Sequence, residues 1–292
     1  MVKLTLELDG GQQQDFGWGP TAAPRFLNPK KVGLLSSIDL SLDLVAAFDA
    51  GLSVQRFGAK GKASYDPSKI QQYEADLKNG GTEFIAAVGG SIVMAAIINS
   101  TTPLPFVSLV GAMPKDIGAF CLGGVSLESW ASNKDRIAIL KSKLSLANAD
   151  NVALYRNTQS AMAPDEAADW TLQVAPSAAN IIPTSGNYNT DFSSIPAAIQ
   201  GIVVSSDPTF QQNKDALVAA INTWVGAAAN RYVVYPLQIY SRAAQPPATT
   251  KSTLYGPDLY QAYYKLGQLA RDAAASGAYI GFEAARNLTL NM

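Results

Sequence analysis

The chain has 292 residues, 48% of them hydrophobic and only 15% charged, with a net charge of −1 and no histidine. That length suits two domains of ordinary size, and the scattered charge leaves no basic stripe to neutralise a nucleic acid backbone. Without histidine a Ser-His or Cys-His nucleophile pair is impossible, and a single cysteine, Cys121, excludes an internal disulfide framework and a cysteine-based zinc cluster.

The opening VKLTLELD alternates Val2, Leu4, Leu6 and Leu8 with polar residues, the pattern of a half-buried strand. It runs into Gly10-Gly11 and a loose GQQQDFGWGPTAAP segment. The tail RNLTLNM (286–292) carries a second short alternation, which suggests pairing between the two terminal strands, within one chain or between two. No signal-peptide-like apolar core follows a basic start in the first thirty residues. No stretch reaches the roughly 18 to 20 apolar residues of a membrane helix, since IAAVGGSIVMAAII (85–98) is short and broken by Gly89-Gly90. No membrane insertion is expected, and the location is the periplasm if a leader has been removed and otherwise the cytoplasm.

From Lys31 the grammar becomes apolar runs followed by helix-like stretches. KKVGLLSS (30–37) reads as a strand, LSLDLVAAFDAGL (40–52) as a helix stopped by Gly51, and SKIQQYEADLKNGG (68–81) as a helix with Ile70, Tyr73 and Leu77 on one face. TEFIAAVGG is a strand opening the helix SIVMAAIINST, and LPFVSLVG (104–111) is the next strand. Continuous rather than alternating apolar strands imply a parallel sheet covered on both faces.

After a glycine-bearing connector the same grammar restarts. Helices are expected at 126–144, 163–175 and 208–224, strands at 151–157, 180–185, 201–207 and 231–237, and a last helix in YGPDLYQAYYKLGQLARDAAASG. Two α/β runs of similar size give a bilobed α/β protein.

Ligands of open parallel sheets lie outside the carboxyl ends of the strands, where helix N-termini present unpaired N–H groups. Short polar residues recur there: Ser36 and Ser37 after VGLL, Gly90 and Ser91 after IAAVG, Asn157 and Thr158 after VALYR, Thr184 and Ser185 after NIIP, and Ser205, Ser206 and Asp207 after GIVV. The same residue types are ordinary helix N-caps, so each position admits both readings. Asp165 and Glu166 are helix-start charges favourable against the macrodipole. Neither a phosphate loop nor GxGxxG occurs. Tyr255, before Gly256-Pro257, lies in a loop returning across the lobes, whereas Tyr260, Tyr263 and Tyr264 read as packing.

The run GIVVSSDPTFQQNKDALVAAIN, then RYVVYPLQIYSRA, then STLYGPDLYQAYYKLGQLARDAA resembles the end of bacterial ABC-transporter substrate-binding proteins, in the group that includes tryptophan- and tyrosine-binding members. KKVGLLSS, EFIAAVGGSIVMAAIINSTTPLPFVSLVGAMP and GVSLESWASNKDRIAILKSKL with NVALYRN extend the likeness over about residues 30 to 275. The resemblance implies a type I periplasmic-binding-protein-like fold: two lobes, each a mostly parallel sheet flanked by helices, closing by hinge motion. Lobe one would be 30–112 plus 248–280 and lobe two 113–247, with 1–29 an N-terminal strand and arm and 281–292 a C-terminal tail.

The function so implied is non-enzymatic capture of a small polar molecule, an amino acid or related compound, between the lobes for an ABC permease. Ser36, Ser37, Gly90 and Ser91 would contribute from lobe one, Asn157, Ser185, Ser206 and Asp207 from lobe two, and Tyr255 from the returning loop. Asp207 would hold a ligand amine unless it is committed to capping its helix, in which case Ser206 is the contact. No catalytic residue, metal or cofactor is expected. The alternative is a cytosolic ligand sensor or structural homologue that has lost transport and forms a homo-oligomer through its N-terminal arm.

Overall fold

The computed structural model describes residues 4–8, 12–16, 30–61, 66–111, 118–127, 132–159, 163–174, 180–285 and 287–291. At the N-terminus, β1 (Leu4–Leu8) and β2 (Gln12–Phe16) form an antiparallel hairpin.

Fully buried apolar runs build the first sheet from β3 (Val32–Ser36), β5 (Phe84–Val88) and β6 (Phe106–Val110), paired in parallel in the order β3, β5, β6. Such strands read as continuous apolar runs because both faces are covered. β4 (Gly58–Gly61) adds to the β3 edge, and β7 (Cys121–Ser126) adds beyond β6. Helices α1 (Leu42–Leu52), α2 (Pro67–Asn79) and α3 (Ser91–Ile98) connect these strands, and α9 (Leu259–Ser276) returns from the far end of the chain to pack on α1 and the sheet.

Glycine permits the contact between those two helices. A Cβ on Gly51 would lie 1.9 Å from the Tyr264 carbonyl oxygen, and one on Gly267 would lie 2.2 Å from that of Phe48. A left-handed residue ends each helix, Ser53 at φ 58° for α1 and Gly277 at φ 66° for α9.

The second sheet has the order β14, β12, β11, β10, β8, β9. Its strands are β8 (Val152–Arg156), β9 (Asn180–Pro183), β10 (Gly201–Val204), β11 (Tyr232–Tyr235), β12 (Ser252–Pro257) and the antiparallel edge β14 (Asn287–Asn291). Between them run α4 (Asn133–Leu144), α5 (Ala163–Gln173), α6 (Tyr188–Ser193), α7 (Pro208–Gln212), α8 (Lys214–Gly226) and a 3₁₀ turn at Gln238–Arg242. The last strand of the first sheet, β13 (Gly281–Ala284), pairs in parallel with β7.

The chain therefore passes between the sheets three times: after β7, between β12 and α9, and between β13 and β14. One continuous apolar cluster contains side chains of both lobes, from Leu34 and Phe48 to Tyr155 and Tyr235.

The sequence boundaries at 112/113 and 247/248 need correction. CLGGVS at 121–126 is a strand of the first sheet rather than a connector. Its glycines serve close approach, since a Cβ on Gly124 would sit 1.9 Å from the Ser108 carbonyl oxygen. STLYGP belongs to the second sheet, where a Cβ on Gly256 would lie 1.7 Å from the Pro236 carbonyl oxygen. The tail is shared between the lobes. Its strand β14 pairs with β12, while β1 pairs with β2, so among the described residues the two ends do not pair with each other within one chain. The helix expected over 208–224 is interrupted at Asn213, whose Nδ2 donates to the Thr209 carbonyl oxygen.

Candidate ligand site between the lobes

The segments leaving the carboxyl ends of the two sheets meet. The Asp39 amide donates to Gln212 Oε1 at 3.3 Å, and Gln212 Nε2 donates to Asp39 Oδ2 at 2.5 Å. Arg242 of the second lobe pairs with Asp43 of the first and lies over the Tyr260 ring. Both lobes thus face the same space with their strand exits. Among the described residues no group of three His, Cys, Asp or Glu side chains is placed to hold a metal ion, and no helix is long and apolar enough to cross a membrane.

On lobe one, Ser36 and Ser37 are buried at the end of β3. Ser36 Oγ accepts from the Ile38 amide at 3.1 Å, and Ser37 donates through its Oγ to the Gly89 carbonyl oxygen and through its amide to that of Val88, each at 3.1 Å. The two Ser37 bonds join the exits of β3 and β5. They also explain Gly89, where a Cβ would meet Ser37 Oγ at 2.0 Å. Gly90, half-buried at φ 79°, opens α3 with no atom within 4 Å of where a Cβ would lie, and Ser91 is the first residue of that helix. A helix start without a side-chain cap leaves N–H groups to be satisfied from outside.

On lobe two, Asp207 is the N-cap of α7: its Oδ1 accepts from the Thr209 amide at 2.8 Å and from Asn157 Nδ2 at 3.4 Å. Asn157 Oδ1 in turn accepts from the Gln159 amide at 3.0 Å. Asp207 and Asn157 thus meet as a pair, both buried, whereas Ser206 beside them is half exposed. Ser185 is exposed after β9, where its amide and Oγ donate to Asp191. Tyr255 sits elsewhere. Its OH donates to Asp135 Oδ2 at 2.5 Å and its carbonyl accepts from Arg136 Nε at 3.0 Å, so it fastens the last strand before a crossing to the first turn of α4.

Three charged residues that the sequence reading did not place at the site, Arg136, Glu166 and Asp191, are buried. Asp191 receives Tyr155 OH at 2.7 Å, Thr184 Oγ1 at 2.9 Å and Ser185 Oγ at 2.5 Å. Burial alone would raise its carboxyl, but the bonds from Ser185, Tyr155 and Thr184 outweigh burial and hold it below the usual carboxylate value. Glu166 is not a solvated helix-start charge: it is 6% exposed, its Oε2 accepts from Ser205 Oγ at 2.6 Å, and burial pushes its carboxyl up. Arg136 is fully buried, with Nη1 donating to Asn133 Oδ1 at 3.0 Å, and burial pulls its guanidinium down to about 10 against the favourable field of Glu166. Only the apolar neighbours of Glu166 and Arg136 in the sequence bear on their burial, and a helical period does not reveal a charged partner 30 residues away. Above this network Tyr155 stacks on Phe210 at 5.1 Å and Tyr188 meets both rings edge-on.

No family model matches the chain, and no curated protein matches it in sequence. Solved structures match it in fold. An ABC domain from Streptococcus pneumonia in complex with L-Trp is 11% identical, with a TM-score of 0.66 over 88% of this chain and 91% of that one. A carbohydrate transporter solute binding protein from Agrobacterium Radiobacter, in complex with D-arabinose, is 11% identical, with a TM-score of 0.65 over 91% and 95%. The fructose binding periplasmic domain of a hybrid two component system is 11% identical, with a TM-score of 0.65 over 89% and 90%. The chain has the two-lobed, type I periplasmic-binding-protein-like α/β fold, as its sheet orders and three crossings require.

Proposed function

We propose that the protein is a solute-binding protein that captures a small polar molecule between its lobes and presents it to an ABC-type permease. The observation that carries this reading is the convergence of polar strand exits from two parallel sheets onto one interlobe space, across which the lobes already touch through Asp39, Gln212, Asp43 and Arg242. Ligands of such sheets bind at the carboxyl ends of the strands. Solutes held by proteins of the same fold include an amino acid and several sugars, which supports the general role.

Within the site, the N-terminus of α3 at Gly90 and Ser91 offers N–H donors from lobe one, held by the Ser37 bonds to Val88 and Gly89 just before it. Ser206 and Ser185 offer hydroxyls from lobe two. Asn157 and Asp207 stand behind Ser206 as a buried polar backing, with Asp207 acting first as a helix cap; this commitment favours Ser206 over Asp207 as the direct contact. Tyr255 serves the hinge. An amino acid would place its carboxylate at the α3 N-terminus, where the helix dipole and free donors favour negative charge.

The role is binding, and closure of the lobes is the productive event. Thermal-shift screening of the full chain against L-amino acids and monosaccharides tests it, because a ligand of the folded state raises the melting temperature with its concentration. A saturable rise with one compound is expected, diminished in Ser206→Ala. If no member of either panel raises the melting temperature, the proposal fails.

A further inference from the structure

Ser205, the buried neighbour of Ser206, donates through its Oγ to Glu166 Oε2 at 2.6 Å and through its amide to the Tyr155 carbonyl oxygen at 2.9 Å, and its own carbonyl accepts from the Asp207 amide at 3.1 Å. These bonds set the path of the turn that carries Ser206. Glu166 stands on the first turn of α5, and its carboxylate supplies the largest favourable field on Arg136 of α4. Arg136 in turn holds the last residues before a crossing between the lobes. Its Nε donates to the Tyr255 carbonyl oxygen at 3.0 Å, and a Cβ on Gly256 would lie 3.1 Å from its Nη2. β12 ends at Pro257 and α9 of lobe one begins at Leu259. One buried acid–base pair therefore connects the Ser206 turn to the strand about which the lobes would move.

The pair can change charge. Burial raises the Glu166 carboxyl, the Ser205 bond and the fields of Arg136 on α4 and Arg156 on β8 oppose that rise, and the Asp207 charge at the start of α7 adds to it. A raised folded value makes the ionised form cost stability as the pH rises, so stability does not account for a carboxyl at this place. The chain has no histidine, the side chain whose ordinary value falls between pH 5 and 8. Burial raises one other carboxyl among the described residues, that of Glu74, which accepts from the Leu104 amide before β6, away from lobe two. Protonation of Glu166 would remove the charge opposite Arg136 and turn the bond from Ser205 into a neutral one, roughly half as strong.

We propose that Glu166 and Arg136 form a proton-sensitive tie between the ligand wall and the hinge: ionised Glu166 holds the lobes in the arrangement in which they touch and present Ser206, and protonation loosens it, so that acid weakens solute capture. The tie stands on the bonds that run from Ser205 to Glu166 and from Arg136 to Tyr255; its effect on capture rests on the interlobe function proposed above.

The test follows the interlobe distance in the full, solute-free chain between spin labels at Lys69→Cys and Ala229→Cys, exposed positions on α2 and after α8, with Cys121 buried and out of reach of the label. From pH 8 down to pH 4.5 the ratio of open to closed lobes should rise by at least about threefold in the parent, within the limit of about tenfold per pH unit that one linked proton sets. Glu166→Gln, which cannot ionise, should be enriched in the open form already at pH 8 and lose most of the rise; what remains belongs to the exposed interlobe carboxylates Asp39 and Asp43. Glu74→Gln should follow the parent. A parent ratio that does not change with pH would overturn the tie, as would a rise equally steep in Glu166→Gln or one abolished by Glu74→Gln. Should Glu166→Gln fail to fold, Ser205→Ala decides, since it cuts the bond at the ligand wall and keeps both charges: a reduced rise supports the tie and an unchanged one overturns it. No solute enters this measurement, so an empty amino acid and monosaccharide screen would end the capture reading while the tie stands or falls by the distances alone.

Discussion

The two lobes share a sheet type and a direction of strand exit, yet they bury different things. Lobe one buries one charged side chain among its described residues, Glu74, which accepts from the Leu104 amide before β6 and so lies at the end of the sheet away from lobe two. Lobe two buries Arg136, Glu166, Asp191 and Asp207, all four bonded to residues at or just after the carboxyl ends of its strands: Tyr255, Ser205, Ser185 and Asn157. Lobe one is held by close helix contacts through glycine, lobe two by a charged network at the carboxyl ends of its strands. The difference implies a division of labour: a rigid apolar wall presenting backbone donors, and an electrostatically organised wall that fixes side chains.

Removing a member of the charged network should cost most. Arg136→Ala would leave Glu166 buried without its favourable field and free the Tyr255 carbonyl, and a loss of about 3 to 5 kcal/mol in chemical denaturation is expected. Glu74→Gln in lobe one should cost clearly less; equal costs would erase the contrast between the lobes. Gly51→Ala comes next, with about 1 to 3 kcal/mol lost because a methyl group meets the α9 backbone, a loss concentrated in lobe one by hydrogen exchange.

The pH dependence of the same network sharpens the comparison. Asp191 has a folded-state carboxyl below the unfolded value of about 3.9, so its stabilisation is present above that value and is lost as the pH falls through the folded one. Denaturation from pH 6 to pH 2 should therefore show a shallower acid loss for Asp191→Asn than for the parent. Glu166 runs the other way: its folded carboxyl lies above the unfolded value of about 4.3, so its favourable contribution holds below that pH and declines as the pH rises. Glu166→Gln should flatten that decline.

Smallest in stability is the exposed interlobe pair. Asp43→Asn should change the unfolding free energy by less than about 1 kcal/mol, as for other surface ion pairs, and less still at high salt. Its effect should appear instead in the spread of interlobe distances between two spin labels.

Much of the fold was legible in the sequence because buried parallel strands are continuous apolar runs: VGLLS, FIAAV, FVSLV, VALYR and YVVY all fall in strands. Among the strands that escaped notice, β7 and β12 contain Gly123-Gly124 and Gly256-Pro257, residues that usually mark turns and here mark backbone contact. The strand-end serines were visible as positions, but their commitments were not, since a cap and a ligand donor use the same residue types. Arg136, Glu166 and Asp191 have partners 119, 39 and 36 residues away, for Tyr255, Ser205 and Tyr155 respectively, and no local pattern records a pairing over such separations.

The central claim, that a solute draws the two lobes together, is tested most directly by small-angle X-ray scattering of the full chain with and without the compound that raises its melting temperature. The account expects the radius of gyration to fall on saturation in the parent chain and to require higher concentrations in Ser206→Ala. Saturating ligand with an unchanged scattering profile and an unchanged interlobe distance would contradict it.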